Sequence, residues 1–265
     1  MSLLDGHRLL ITGVLTDRSI AFAVARRAQE EGAEVVLTGA GRGMRLTQRV
    51  AKRLPQAADV LELDVTNPEQ VEAVRDDLQG RWGAVDGVLH AIAFVPPDAL
   101  GGRFLSAPTA SAVSALEVGA VSLQTLAAGF APLLEASDRS PSLLGLDFDA
   151  ALAWPSYDWA GVTKAALESI SRYLAAELGP RGIRSNLVAA GPLKTLAAGA
   201  IDGFEDLASI WETSAPLRWD LEDAGPVADA CLFLLSPWAR AVTGEVLHAD
   251  GGVHAVGAPG ARPAL

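Results

Sequence analysis

Short unbroken apolar runs alternate along the chain with longer stretches of helical period. The runs Arg8–Gly13, Glu34–Gly39, Val60–Val65, Gly87–Ala93, Ser142–Phe148, Ile183–Gly191 and Gly244–Asp250 predict strands. They are continuous rather than alternating, the pattern of strands buried on both faces. Ser19–Glu31 predicts a helix capped by Ser19 and stopped by Gly32. Met44–Leu54 predicts a second, ended by Pro55, and Asn67-Pro68 opens a third with proline at its first position. Thr109–Leu134 reads as one long helix, too apolar all round for a simple surface helix. A helix begins near Tyr157 and runs to Leu178, Thr195–Trp219 is a helical excursion, and Pro226–Leu235 is a last helix. Such alternation predicts the α/β class: a doubly wound parallel sheet of about seven strands with helices on both faces.

The chain has 265 residues, enough for one large domain with a full core. We expect that domain over residues 1–256, with the excursion at about 195–219, and a disordered Ala/Pro/Gly-rich tail over 257–265. Half the residues are hydrophobic, yet no uninterrupted apolar stretch is long enough to span a bilayer, and the N-terminus has no leader pattern. These features predict a cytoplasmic protein. The single cysteine, Cys231, excludes an intrachain disulfide and any multi-cysteine metal site, and no metal is expected. A net charge of −11 without a basic run argues against nucleic acid and anionic membranes.

The candidate chemistry lies between Asp147 and Lys164, a stretch that reads as strand end, loop and helix start. Ligands of open α/β sheets sit at the carboxyl ends of the strands. Tyr157 and Lys164 are seven residues apart and project from one helix face. A phenol and an ammonium there can hold a hydroxyl-bearing cofactor and steady a developing negative charge. The competing reading makes Tyr157 a core cap and Lys164 a solvated lysine.

The turn Gly13-Val-Leu-Thr-Asp-Arg-Ser-Ile-Ala21 occupies the place where a dinucleotide (Rossmann) fold rests its pyrophosphate on a helix N-terminus. Its glycine pattern is weak, because Asp17 and Ser19 stand at the later glycine positions. Asp64 and Val65 end the third strand, where a carboxylate and a backbone group can read an adenine. The second strand ends Gly39-Ala-Gly-Arg42 without an acidic residue. A carboxylate there would bond the ribose 2′-hydroxyl and favour NAD, so its absence leaves NADH and NADPH open. Arg42 could stack on adenine, meet a 2′-phosphate or be solvated.

Gly13-x5-Ser19-x-Ala21, Leu63-Asp-Val65, His90-Ala-Ile-Ala-Phe94, Tyr157-x6-Lys164 and Ala190-Gly-Pro-Leu-Lys-Thr-Leu-Ala197 occur in that order. Together they resemble the NADH-dependent enoyl-[acyl-carrier-protein] reductases of the short-chain dehydrogenase/reductase superfamily. Leu3-Leu-Asp-Gly6, Ser19-Ile-Ala-Phe22, Asp147-Phe-Asp149 and Arg184–Pro192 are most similar to the mycolic-acid-pathway type. Ordinary short-chain dehydrogenases place lysine four residues after tyrosine, and here that position is Gly161.

The resemblance implies roles. Lys164 would hold the nicotinamide ribose, and Tyr157 would donate to the thioester carbonyl as an enolate forms. Phe148 would line the reacting centre. Gly13, Val14, Leu15, Ser19 and Ile20 would surround the pyrophosphate, with Ala40, Asp64 and Val65 around adenosine. Ala91, Ile92 and Ala93 would lie along the cofactor, and Ala190, Gly191, Pro192, Leu193 and Thr195 would meet the carboxamide and phosphate. Phe94, Phe148, Trp154, Tyr157, Leu196, Ala197 and Ile201 would contact the acyl thioester, carried by acyl carrier protein or coenzyme A. A homotetramer is also implied. Ala91 and Ala93 replace the usual serine and glycine, which predicts weaker cofactor affinity rather than loss of function. Thr195–Trp219 is shorter than its counterpart in the mycolic-acid-pathway type, which predicts a shorter acyl tunnel, and Trp154, Phe204 and Trp211 could cap it or belong to the core. Asp202, Glu205 and Asp206 flank the expected entrance, so an acidic carrier should gain little over coenzyme A. The alternatives are a same-fold reductase of another unsaturated or keto substrate, and a non-catalytic nucleotide-binding protein.

Overall fold

A computed structural model describes residues 2–257; the predicted disorder of the tail falls, but for Gly257, outside the described residues. Seven strands form one parallel sheet in the order β3-β2-β1-β4-β5-β6-β7. They are β1 (Arg8–Ile11), β2 (Glu34–Gly39), β3 (Val60–Glu62), β4 (Gly87–His90), β5 (Ser142–Asp147), β6 (Arg184–Ala190) and β7 (Val246–Ala249). The strand order reverses between β1 and β4, and a doubly wound sheet opens its ligand crevice at that point.

The sheet has a separate core on each face. One gathers α1 (Ile20–Glu30), α2 (Met44–Ala51) and α8 (Gly225–Leu235), with Phe22, Val24, Val50, Cys231 and Leu232 buried against β1 and β2. The other gathers α3 (Pro68–Trp82), α5 (Ser122–Glu135) and α6 (Asp158–Leu178), with Leu78, Leu126, Phe130 and Leu167 against β4 and β5. Burial on both sides is why Leu143–Leu146 of β5 and Leu187–Ala190 of β6 are unbroken apolar runs. At the head of α3, Asn67 Oδ1 accepts from Glu69 N at 3.0 Å, and Pro68 occupies the first turn. Gly83 ends that helix in the left-handed conformation, φ 69°.

Several expectations need correction. β1, β3 and β4 stop two or three residues early, and Thr12–Gly13, Leu63–Val65 and Ala91–Ala93 leave the ladder to line the crevice. The single helix expected over Thr109–Leu134 is three pieces: α4 (Thr109–Leu116), a π-helical turn (Glu117–Val121) and α5. Thr109–Glu135 as a whole is long and apolar enough to cross a membrane by length and composition, contrary to expectation. Here its apolar face, Leu123, Leu126, Phe130, Leu133 and Leu134, is buried in the sheet core. In the excursion only α7 (Phe204–Ser214) is α-helical, since Gly203 starts it at φ 83° and Ala215-Pro216 ends it.

Candidate active site

Two turns of chain meet at the end of β1. Gly13 adopts φ 76°, and a Cβ there would lie 1.9 Å from the Ala91 carbonyl oxygen. Thr12 draws the two loops together: its Oγ1 donates to Leu89 O at 2.8 Å and accepts from Ala91 N at 2.9 Å. Ser19 begins α1, but its hydroxyl does not cap the helix as expected. It turns back and accepts from Leu15 N at 3.2 Å and Thr16 N at 3.0 Å. The amides of Ile20 and Ala21 find no acceptor among the described residues, so the helix presents free N–H donors to the crevice. Thr47 of α2 donates to Val14 O at 2.7 Å and fixes the outer side of the turn. This cradle of free amides, closed to any side chain at Gly13, fits a pyrophosphate.

At the adenosine end, Ala40 is exposed beyond β2 and Val65 is buried. Asp64 is exposed and accepts from Thr66 N at 2.9 Å and Thr66 Oγ1 at 2.7 Å, while Asn67 does the capping. Ala91 and Ile92 are half-buried along the crevice, and Ala93 and Phe94 are exposed at its rim.

Tyr157 and Lys164 converge on the end of β5 and the residue that follows it. Lys164 is buried, and its Nζ donates to Leu146 O at 2.7 Å. The Tyr157 ring lies 5.0 Å from that of Phe148, centroid to centroid. Between those two contacts sits Asp147, 5% exposed, with neither carboxylate oxygen bonded among the described residues. Burial pushes the Asp147 carboxyl up to about 7, although the nearby Lys164 charge pulls it down. Burial also lowers Lys164 against the pull of Asp147. Burial, with the Asp147 charge, raises the Tyr157 phenol, so it remains a neutral donor near neutral pH.

The residues beside Tyr157 are strained. Ser156 and Asp158 have φ 60° and 41°, in the left-handed region that costs an ordinary residue about 1–2 kcal/mol. The Asp158 carboxylate compensates by accepting from Gly102 N at 2.7 Å and Arg103 N at 2.8 Å. Arg103 in turn pairs with Asp202 at 3.3 Å, tying this loop to the excursion.

Behind Phe148, Trp154 and Trp211 complete an aromatic cluster, with ring centroids 5.6 and 5.5 Å away. Trp211 is fully buried and donates through Nε1 to Asp250 O at 2.9 Å, so of its two predicted places the core is the observed one. Trp219 donates to Pro192 O at 2.7 Å and covers Gly191, where a Cβ would meet its ring at 2.7 Å. Ala190, Gly191, Pro192 and Leu193 are all buried at the end of β6. Thr195 Oγ1 accepts from Ala198 N at 3.2 Å. Leu196 and Ala197 are exposed, Ile201 is half-buried, and none joins the aromatic cluster.

Sequence reasoning missed Thr12, Thr47, Trp219 and His90. His90 is fully buried at the end of β4, its Nε2 2.7 Å from Ser122 Oγ. Burial and the Lys164 charge lower its pKa to about 3. The one available signal was position: Thr12 and His90 each lie in a predicted strand directly before a site residue, Gly13 and Ala91.

Residues 13–254 match the family model described as enoyl-(acyl carrier protein) reductase. The chain belongs to that family. It is 43% identical over 264 residues to the "Enoyl-[acyl-carrier-protein] reductase [NADH]" of Mycolicibacterium smegmatis, covering 94% of this chain and 97% of that protein. It is 42% identical to the Mycobacterium avium protein of the same name, covering 94% and 97%. An Aquifex aeolicus relative with a similar name is 36% identical, covering 97% of this chain and 94% of that protein. The family match spans the Gly13 turn, the Tyr157–Lys164 pair and the Gly191 loop alike.

Proposed function

We propose that the chain is an NADH-dependent reductase of trans-2-enoyl thioesters in fatty-acid synthesis. The observation that carries this reading is the meeting of Tyr157 and buried Lys164 on Leu146–Phe148, where β5 ends at the mouth of a parallel sheet. Bound NADH supplies the two-electron reductant. Lys164, already oriented by Leu146 O, keeps two further N–H donors for ribose hydroxyls. Tyr157 donates its phenolic proton to the thioester carbonyl oxygen. Negative charge grows on that oxygen only as the double bond is reduced, so a fixed donor there favours the transition state over the bound substrate. Phe148 and Trp154 exclude water from one side of the reacting carbons. Asp64 and Val65 take the adenosine end, and the amides of Ile20 and Ala21 take the pyrophosphate.

The excursion through α7 serves as a wall of the acyl site, and the acyl group arrives on acyl carrier protein or coenzyme A. We place the protein in the cytoplasm as a homotetramer. Exposed Val113, Val121 and Tyr173 on α4 to α6 support that assembly. The test is loss of NADH absorbance with a medium-chain trans-2-enoyl thioester, beside a β-ketoacyl thioester of equal length. Turnover of the ketoacyl substrate alone would assign the other chemistry.

A further inference from the structure

The charge of this protein is unevenly spread. Against a net −11, the chain from Val35 to Ala58 carries Arg42, Arg45, Arg49, Lys52 and Arg53 and no acidic residue. That segment holds all of β2 but its first residue, the whole of α2 and the chain that leads on toward β3. Gly41, Arg42 and Arg45 line a surface cavity of about 380 Å³. Among the described residues neither arginine makes an ion pair. The nearby acids do not quench them. Asp17 is occupied by Arg53, and Glu62, paired in register with Gly39, lies beyond ion-pair distance of both.

The cavity adjoins the dinucleotide cradle. Thr47 of α2 bonds the Val14 carbonyl, and a Cβ on Gly43 would come within 3.1 Å of the Leu15 side chain. An adenosine ribose bound between the Gly13 turn and the end of β2 therefore directs its 2′-substituent at Gly39–Arg45. A reader of the free 2′-hydroxyl needs a hydrogen-bond acceptor on a side chain there, usually a carboxylate. Gly39, Ala40 and Gly41 have none. What the segment offers instead is two unpaired guanidiniums, which match a phosphate dianion by charge and by forked geometry.

We propose that Arg42 and Arg45 form a 2′-phosphate site and that the protein uses NADPH as well as NADH, unlike what the names of its relatives indicate. This rests on the dinucleotide half of the function proposed above and is independent of which thioester is reduced.

Equilibrium titration of the purified protein with each cofactor, read by quenching of tryptophan fluorescence, tests the site without any acyl substrate. The NADPH dissociation constant is expected to lie below, or within about tenfold of, that for NADH, and to weaken more steeply with salt. In Arg42→Ala/Arg45→Ala it should rise at least about tenfold while NADH binding changes less than about threefold. Both side chains are exposed, so folding is not at issue. Gly41→Asp is a second variant. Nothing lies within 4 Å of a Cβ at Gly41, and aspartate tolerates its φ of 48°. It should reverse the preference toward NADH by about tenfold or more. Adenosine 2′,5′-bisphosphate should displace NADPH from the wild type more strongly than adenosine 5′-monophosphate does. Wild-type NADPH binding more than about tenfold weaker than NADH, or an equal loss of both cofactors in the double arginine variant, overturns the proposal. Tight NADPH binding without enoyl turnover would overturn the enzymatic reading and leave this one standing.

Discussion

Gly13→Ala is the sharpest perturbation that the geometry offers. The added Cβ would lie 1.9 Å from the Ala91 carbonyl oxygen, a backbone atom that no rotamer change can move aside. Relief requires the ends of β1 and β4 to part by at least about 1 Å, which stretches the Thr12 Oγ1 bonds to Leu89 O and Ala91 N. Each such bond contributes roughly 0.5–1.5 kcal/mol. Alanine at φ 76° adds about 1–2 kcal/mol of backbone strain. The sum is about 2–5 kcal/mol, or roughly 5–15 °C in Tm for a chain of this size. Urea unfolding followed by tryptophan fluorescence measures it, and the same sample should have lost most of its NADH affinity because the pyrophosphate cradle has opened. A loss below about 1 kcal/mol with an unchanged m-value would show that the turn relaxes freely and that the contact with Ala91 does not shape the cradle.

The roles of Tyr157 and Lys164 separate in a direct NADH titration: Lys164→Ala should weaken binding by about tenfold or more, and Tyr157→Phe should bind nearly normally while turning over slowly. Equal loss of binding in both would remove the assignment. Asp147 titrates at about 7 in the folded chain against about 3.9 when unfolded, so the folded state holds the extra proton between those values. Stability from this group is therefore full below about pH 4 and is lost as pH rises to about 7; Asp147→Asn should flatten that fall in pH-dependent unfolding, gaining on the order of a few kcal/mol at pH 8. An unchanged slope would mean that Asp147 is solvated and ordinary. With the short Thr195–Trp219 wall, kcat/KM across trans-2-enoyl-CoA substrates should climb by about 0.8 kcal/mol per buried methylene and level off at medium chain length. A steady climb to the longest soluble substrate would place the limit elsewhere.

The sheet was legible because parallel strands buried on both faces leave unbroken apolar runs, and all seven appear where those runs predicted them. Their carboxyl ends were overextended for a reason tied to function. Leu63–Val65 and Ala91–Ala93 keep strand-like composition but leave the ladder to line the crevice. The spacing of Tyr157 and Lys164 gave them a shared helix face but left open whether Lys164 is solvated, and its burial came only with the fold. The strain at Ser156 and Asp158 was not legible, since it depends on Gly102 and Arg103, more than fifty residues away in sequence. The break in the long apolar helix was equally hidden. It falls where Gly119 packs against α6, a Cβ there coming within 2.6 Å of the Thr163 methyl, and nothing in residues 109–134 announces that neighbour. Trp219 and Gly191 meet across the excursion, so their contact carries no local signature.

That π turn has an effect on the imidazole beside it. The Ser122 amide bonds Glu117 O, five residues back, instead of Val118 O. The released Val118 carbonyl is taken by the Ser122 hydroxyl at 2.6 Å, which spends the only hydrogen of that hydroxyl. Ser122 Oγ can then only accept from His90 Nε2, 2.7 Å away. The extra residue in the helix thus selects one tautomer of His90, protonated at Nε2, and leaves Nδ1 with a bare lone pair in the buried interior. Nitrogen-15 chemical shifts of the ring would read that state directly, and they should stay fixed across the whole pH range in which the protein is folded.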